Sequence, residues 1–452
     1  MDNSVVSPQP TRPGLAPEVK DALLALLSSM VPAWLGEVPL DHRRVPRPTG
    51  PGGFSIQVEP YKGLQSWMSY RKKHAEGSAL TQIAALIRER QPELLGYVRM
   101  ANGTQMRIQD SFALCAPLAE QAALRLPQLQ STEEAVSHVV ADLDNLLATR
   151  EAEREVMSLL VGLELPAGTD SIALDAGLYI RRLSPEEISH LGSTDILDEP
   201  AFSLTSRRVT SALISVAPTR ITLSEHYDNS AADHSEHQIH QQHVDRLLAA
   251  LHSLKSGRVG VLASIITIRP SVLPHLNGHS QVPHLVSPFC NMALTEEDLG
   301  RVVGLYRSLS APPRAQVTIA AARLVDAEHR LSPVDALLDS VIGLEVLFNP
   351  NDRAELAFRV ALNYAYLAAP PERRRRYEAV KEAQATRNRV VHGGLNNLQP
   401  QDAALLHSQA EAAKACLRDA IERFLTDASL AGSRKLDADF WLDRVLPPGI
   451  TE

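Results

Sequence analysis

Arg387-Asn388-Arg389-Val390-Val391-His392-Gly393-Gly394 closes a helix predicted over 372–391, because a glycine just past the last turn can take the left-handed conformation that ends a helix. Upstream, Ala369-Pro370-Pro371 stops an earlier helix over 356–367, and Asn349-Pro350-Asn351-Asp352 reads as a break followed by a fresh cap. Before that, Ser332-Pro333-Val334-Asp335 offers an N-cap, a proline at the first helical position and an acidic residue in the first turn. Leu337, Leu338, Val341, Leu344 and Leu347 then recur at helical spacing. A run over 317–327 precedes this helix, and another over 401–426 follows the motif. Helices joined by such short connections predict an antiparallel bundle.

The composition fits that reading. Of 452 residues, 44% are hydrophobic but only 4% aromatic, so the core must be built from Leu, Ala, Val and Ile. The net charge of −8 argues against non-specific coating of nucleic acid, while leaving room for an enzyme that admits RNA to a small site. No stretch approaches the ~20 continuous apolar residues that span a bilayer, and the N-terminus lacks the pattern of a secretory signal. Three distant cysteines, Cys115, Cys290 and Cys416, make neither a disulfide framework nor a metal-binding pair. A cytoplasmic home and no membrane contact are the expectations.

The expected fold is mainly α with a mixed α/β middle region and the C-terminal bundle. Residues 1–53 read as one helix, over 19–35, between Pro/Gly-rich linkers. Residues 54–165 read as helical, with Ser131-Thr132-Glu133-Glu134 as a capping box ahead of an amphipathic run to Val161. In that box Glu134 is expected to reach back to the Ser131 amide. Residues 166–313 mix periods: a hairpin around Asp175-Ala176-Gly177, a helix start at Ser184-Pro185-Glu186-Glu187, and strands over 209–216 and 259–268. A tail occupies 429–452.

The spelling R-N-x-x-x-H, set by Arg387, Asn388 and His392 at the end of a bundle helix, resembles the HEPN superfamily and in particular its ApeA-like branch. Ser332 to Asp339, Ile342 to Phe348 and Glu355 to Ala361 support the resemblance, which covers 317–428. A fainter likeness lies in Gly177 to Leu183. The resemblance implies an antiparallel HEPN bundle and a metal-independent endoribonuclease used in abortive, antiviral or toxin-like defence. In that role His392 is the general acid/base, Arg387 stabilises the transition state, Asn388 positions phosphate or water, and Glu345 orients Arg387 or His392 from the neighbouring helix. It implies no cofactor and no metal. The partners implied are RNA, tRNA among the candidates, and a second copy of the chain in a homodimer whose site lies at the bundle interface; DNA is not expected. The N-terminal region would sense a trigger or hold the nuclease silent.

The chemistry suits these residue types. A histidine titrates near neutrality, as proton transfer requires, and the fork of a guanidinium matches two phosphate oxygens. Arg387 and His392 lie five residues apart, about 500° of helix rotation, so they converge only if the last turn is distorted. The plainer alternative leaves His392 capping carbonyls and Arg387 pairing with Glu345. A non-catalytic HEPN dimerisation module with an N-terminal sensor or partner-binding region is the second functional reading.

Arg373, Arg374, Arg375 and Arg376 open the same helix and are candidate contacts to the RNA backbone, although they point all round it and Glu372 and Glu378 partly neutralise them. The histidine-rich run from His226 to His243 tempts a metal reading. Asp233 with His237, and Glu236 with His240, stand four apart, as shared ligands on a helix can. No cysteine pair or HExxH accompanies them, and the run reads as a polar loop entering a helix.

Overall fold

The computed structural model describes residues 14–37, 41–50, 53–61, 78–99, 105–126, 129–184, 187, 209–226, 235–273, 278–280, 284–287, 289–311, 315–348, 356–392, 400–427, 429–430 and 440–441. Eleven α-helices among them make the chain mainly helical. Its N-terminal part contains α1 (Pro17–Glu37), β1 (Asp41–Gly50), β2 (Gly53–Tyr61), α2 (Ser78–Arg90), β3 (Tyr97–Arg99), β4 (Gln105–Arg107), α3 (Ser111–Arg125) and α4 (Thr132–Thr149). The four helices bury Val19, Leu23, Leu27, Ile87, Leu118, Val139 and Leu143 in one core. The stretch expected as a Pro/Gly linker around Pro46 instead runs in an antiparallel ribbon, β1 on β2, with Asp41 opposite Tyr61. A two-stranded ribbon has only edges, which is where a sheet tolerates proline.

The cap before α4 forms as the sequence predicts, with Ser131 Oγ accepting the Glu134 N–H at 3.1 Å. The Glu134 carboxylate takes the Gln130 amide at 2.9 Å rather than that of Ser131. The helix does not continue to Val161. It stops at Thr149, Arg150 turns left-handed at φ 57°, and β5 (Glu151–Val161) begins.

In the middle region, β6 (Leu163–Glu164), β7 (Ser171–Asp175), β8 (Leu178–Arg182), β9 (Val209–Arg220) and β10 (Leu223–Ser224) precede α5 (Ser235–Leu254). Next come β11 (Gly260–Arg269), β12 (Gly278–Ser280), β13 (Met292–Ala293) and α6 (Glu296–Ser310). Six strands form an antiparallel sheet in the order β12-β11-β5-β9-β8-β7. The hairpin expected at Asp175 is there, with Gly177 at φ +67°. At the expected helix start, Ser184 Oγ accepts the Glu187 N–H at 3.2 Å and the Glu187 carboxylate accepts the Ser184 N–H at 2.8 Å.

Alternate residues of β5 enter different cores. Leu160 joins the larger one with α5 and α6, whereas Leu159 and Val161 pack with Ile214 and Leu262 on the opposite face. Coverage on both faces is why the strand's sequence lacks a clean apolar/polar alternation.

The C-terminal part holds α7 (Ala315–His329), α8 (Pro333–Phe348), α9 (Leu356–Tyr366), α10 (Pro370–Val391) and α11 (Pro400–Thr426). Ser332 Oγ accepts the Asp335 N–H, as its cap position predicts. Leu337, Leu344 and Leu347 of α8 are at most 1% exposed, and each such burial contributes roughly 1.5–3 kcal/mol. Arg376 pairs with Asp419 and Gln409 with Glu382, so α10 and α11 run antiparallel. The α8/α11 pair is parallel instead: Gly343 faces Leu417, and the Phe348 and Phe424 rings sit 5.6 Å apart. The simple up-and-down order expected from short connections therefore fails at this pair. Asn363 and Tyr364, near the end of α9, pack on the last residue of α8, so the chain does not double back along α8 between them.

The larger core runs without interruption from the sheet through α5 and α6 into this bundle. A buried charge cluster crosses the same junction. Glu328 of α7, 3% exposed, accepts from Lys414 at 3.0 Å and from Arg418, while Arg418 also donates to the His252 carbonyl at 2.9 Å. Arg258 donates to the Glu328 and Arg330 carbonyls. The His252 and His329 rings meet through their Nε2 atoms at 3.3 Å. Burial pushes His329 down to about 4 and His252 well below its ordinary value, with nearby cationic side chains acting in the same direction. Among the described residues, no helix is long and apolar enough to cross a membrane.

Candidate functional site

The 22 residues of α10, Pro370–Val391, lie between Ala369 at the N-cap and His392 at the C-cap, whose backbone N–H still bonds the Asn388 carbonyl at 3.0 Å. At φ −88° and ψ 14° His392 leaves helical geometry, and its side chain is exposed. Among the described residues its imidazole makes no hydrogen bond or ion pair. Gly393 and Gly394, the predicted stop, lie outside the described residues.

Arg387 sits one turn inward and is partly buried. Its Nη1 donates to Asn388 Oδ1 at 3.1 Å, which leaves the rest of the fork unengaged. Glu345 approaches from α8. Burial lifts its carboxyl above the usual carboxylate range, and the Arg387 charge opposes that rise. No hydrogen bond joins Glu345 to Arg387. Thus Arg387, Asn388 and Glu345 come together, and His392 stands at the rim of the same helix end rather than in contact with the arginine. The alternative of a direct Arg387–Glu345 ion pair is not what this geometry contains.

The four consecutive arginines divide. Arg373 donates to the Ala368 carbonyl at 3.0 Å and lies over Tyr366, while Arg376 binds Asp419 and lies 5.2 Å from the Tyr364 ring centroid. Both serve the bundle. Arg374 and Arg375 hold only helix-surface pairs with Glu378 and Glu372, and their side chains are 90% and 77% exposed, so these two remain accessible to an anion.

The histidine-rich run enters α5. His240, 2% exposed, has its Nε2 2.7 Å from Ser158 Oγ, and His243 Nδ1 lies 2.6 Å from the Tyr306 hydroxyl. Both rings are thus taken up by core hydroxyls of the sheet and α6. Among the described residues no group of three His, Cys, Asp or Glu side chains is gathered to hold a metal. Asp233 and His234 lie outside the described residues, as do the side chains of Glu236 and His237.

Sequence reasoning passed over two features of the motif's end of the bundle. Val391 and Leu405 are 53% and 44% exposed, and the α10/α11 register brings them to the same end. The second feature is Gln384, one turn below Arg387 and only 3% exposed. The signal that could have found it is its place between Val380, Ala383 and Arg387 on the inward stripe of α10. No protein-family model, curated protein or solved structure matches this chain.

Proposed function

We propose that the chain is a metal-independent endoribonuclease of HEPN type, acting in abortive, antiviral or toxin-like defence. One observation carries the reading: a half-open guanidinium, Arg387, supported by Asn388 and faced by Glu345, lies one turn from an exposed histidine at the helix end. The ribose 2′-hydroxyl attacks the neighbouring phosphorus and the bond to the 5′-oxygen breaks, leaving a 2′,3′-cyclic phosphate and a 5′-hydroxyl. His392 moves the proton, and Arg387 meets the charge that builds on the phosphate oxygens. Two copies packed through the apolar surface at Val391 and Leu405 set the histidine of each beside the arginine of the other, one such pair to a phosphate. Arg374 and Arg375, exposed on α10, suit backbone phosphates of the same RNA.

Expression in cells tests this reading. Wild type is toxic and its toxicity is relieved by Arg387→Ala or His392→Ala; undiminished toxicity in both variants overturns the assignment. The exposed Val391 and Leu405 also favour a second reading, a non-catalytic dimerisation module. It predicts a dimer indifferent to both substitutions and no RNA cleavage by any form.

A further inference from the structure

Gln384 is an anomaly in the bundle. Buried side-chain amides in native proteins nearly always find partners, because each unpaired buried polar group costs about 1–3 kcal/mol. Neither Nε2 nor Oε1 of Gln384 has a hydrogen-bond partner among the described residues, although the side chain is 97% buried by its 3% exposure. Arg387 Nε is likewise buried and unpartnered. The two belong together geometrically. Helical side chains lean toward the N-terminus, so a residue at i covers the turn of i−3 and i−4, and Arg387 therefore lies over Gln384. An unused acceptor and an unused donor occupy adjacent positions on one stripe, beside the half-buried Glu345 carboxyl.

We propose that Gln384 is the positioning residue of the site: when an RNA phosphate engages, Arg387 releases Asn388, its Nε–H is accepted by Gln384 Oε1, and both terminal nitrogens turn to the phosphate. This rests on the nuclease reading of Arg387. Holding the guanidinium by its inner nitrogen fixes the plane of the fork and leaves both outer nitrogens for a bidentate contact, which Asn388 alone does not. Because Arg387 gives up its Asn388 bond as it gains the Gln384 bond, RNA affinity changes little, and the fixed plane of the fork contributes in turnover.

The test compares full-length wild type, Gln384→Leu and Gln384→Glu. Leucine removes the unpaired amide, so its melting temperature equals or exceeds that of wild type, whereas kcat for RNA falls about tenfold to a hundredfold with KM nearly unchanged, the scale of one hydrogen bond to a charged group. Glutamate keeps the acceptor and retains most of kcat. A lower melting temperature with kcat intact in Gln384→Leu makes the residue merely structural and overturns the proposal. A readout independent of cleavage is the Arg387 Nε–H resonance, identified by its loss in Arg387→Lys. Adding a 2′-O-methyl RNA decamer, which cannot attack its own phosphates, slows its exchange with water in wild type and not in Gln384→Leu. No change in wild type, or equal slowing in both, overturns the Gln384–Arg387 contact. Failure of wild type to cleave any RNA overturns the nuclease reading instead.

Discussion

Cutting the Arg387 or His392 side chain back to alanine separates chemistry from folding, because the structure gives neither a large share in the core. His392 is exposed, and among the described residues Arg387 makes one hydrogen bond, to its own neighbour Asn388. Both alanine variants are expected to melt within about a degree of wild type, which for 452 residues unfolding as one body matches about 1 kcal/mol or less. A drop of ten degrees in either would mean a structural role. The buried imidazoles behave differently. His329 and His252 have folded values below the unfolded histidine value of about 6.5, so between about 4 and 6.5 the unfolded chain binds more protons than the folded one. Burial is the main reason both rings stay neutral, and Arg258, Arg418, Lys414 and His284 push in the same direction, with Glu328 as the carboxylate of the cluster. Stability from this pair is complete above pH 6.5 and is lost as pH falls toward 4. The urea midpoint should drop from pH 7 to pH 5, and less so in His329→Gln; an unchanged pH slope in that variant would contradict the assignment.

At the scale of the element, the α7–α11 contact depends on the buried Glu328. Glu328→Ala leaves Lys414, 5% exposed, without its deepest partner and leaves Arg418 unpaired on that side, so a loss of about 3–5 kcal/mol is expected in denaturant unfolding. A loss below 1 kcal/mol would show that water reaches the cluster. Such contacts are illegible in sequence: Glu328 and Lys414 stand 86 residues apart, and neither sits on an unusual pattern. Local signals read well. Ser131, Ser184 and Ser332 each accept the amide their spacing predicts, and Gly177 turns the predicted hairpin. Sequence pattern and structure part where tertiary packing overrides local propensity. Glu151-Ala152-Glu153-Arg154-Glu155 looks like a charged helix face, yet it lies on a strand paired on both sides. At the site, the motif made Arg387, Asn388 and His392 visible and pointed to Glu345. Gln384 stayed hidden because a glutamine within a helix reads as surface.

For the whole molecule, the continuous core makes the bundle and the sheet one mechanical body. Hydrogen exchange at β5, β9 and α11 should therefore open with a common free energy. Earlier opening of α11 alone would instead mark the bundle as an independent unit. The proposed dimer makes a further prediction through subunit mixing. If one site draws its arginine and histidine from two copies, mixing inactive Arg387→Ala with inactive His392→Ala restores activity, because one site of each heterodimer regains both groups. No recovery after confirmed exchange places the pair within one chain. The most direct test of the central claim is cleavage of total RNA in EDTA by purified wild type and His392→Ala, with the chemistry of the new 3′ ends read out. Cyclic-phosphate ends are expected from wild type, with a loss of at least ~10²-fold in the variant, the scale of a missing general acid/base. Equal cleavage by both proteins would contradict the claim.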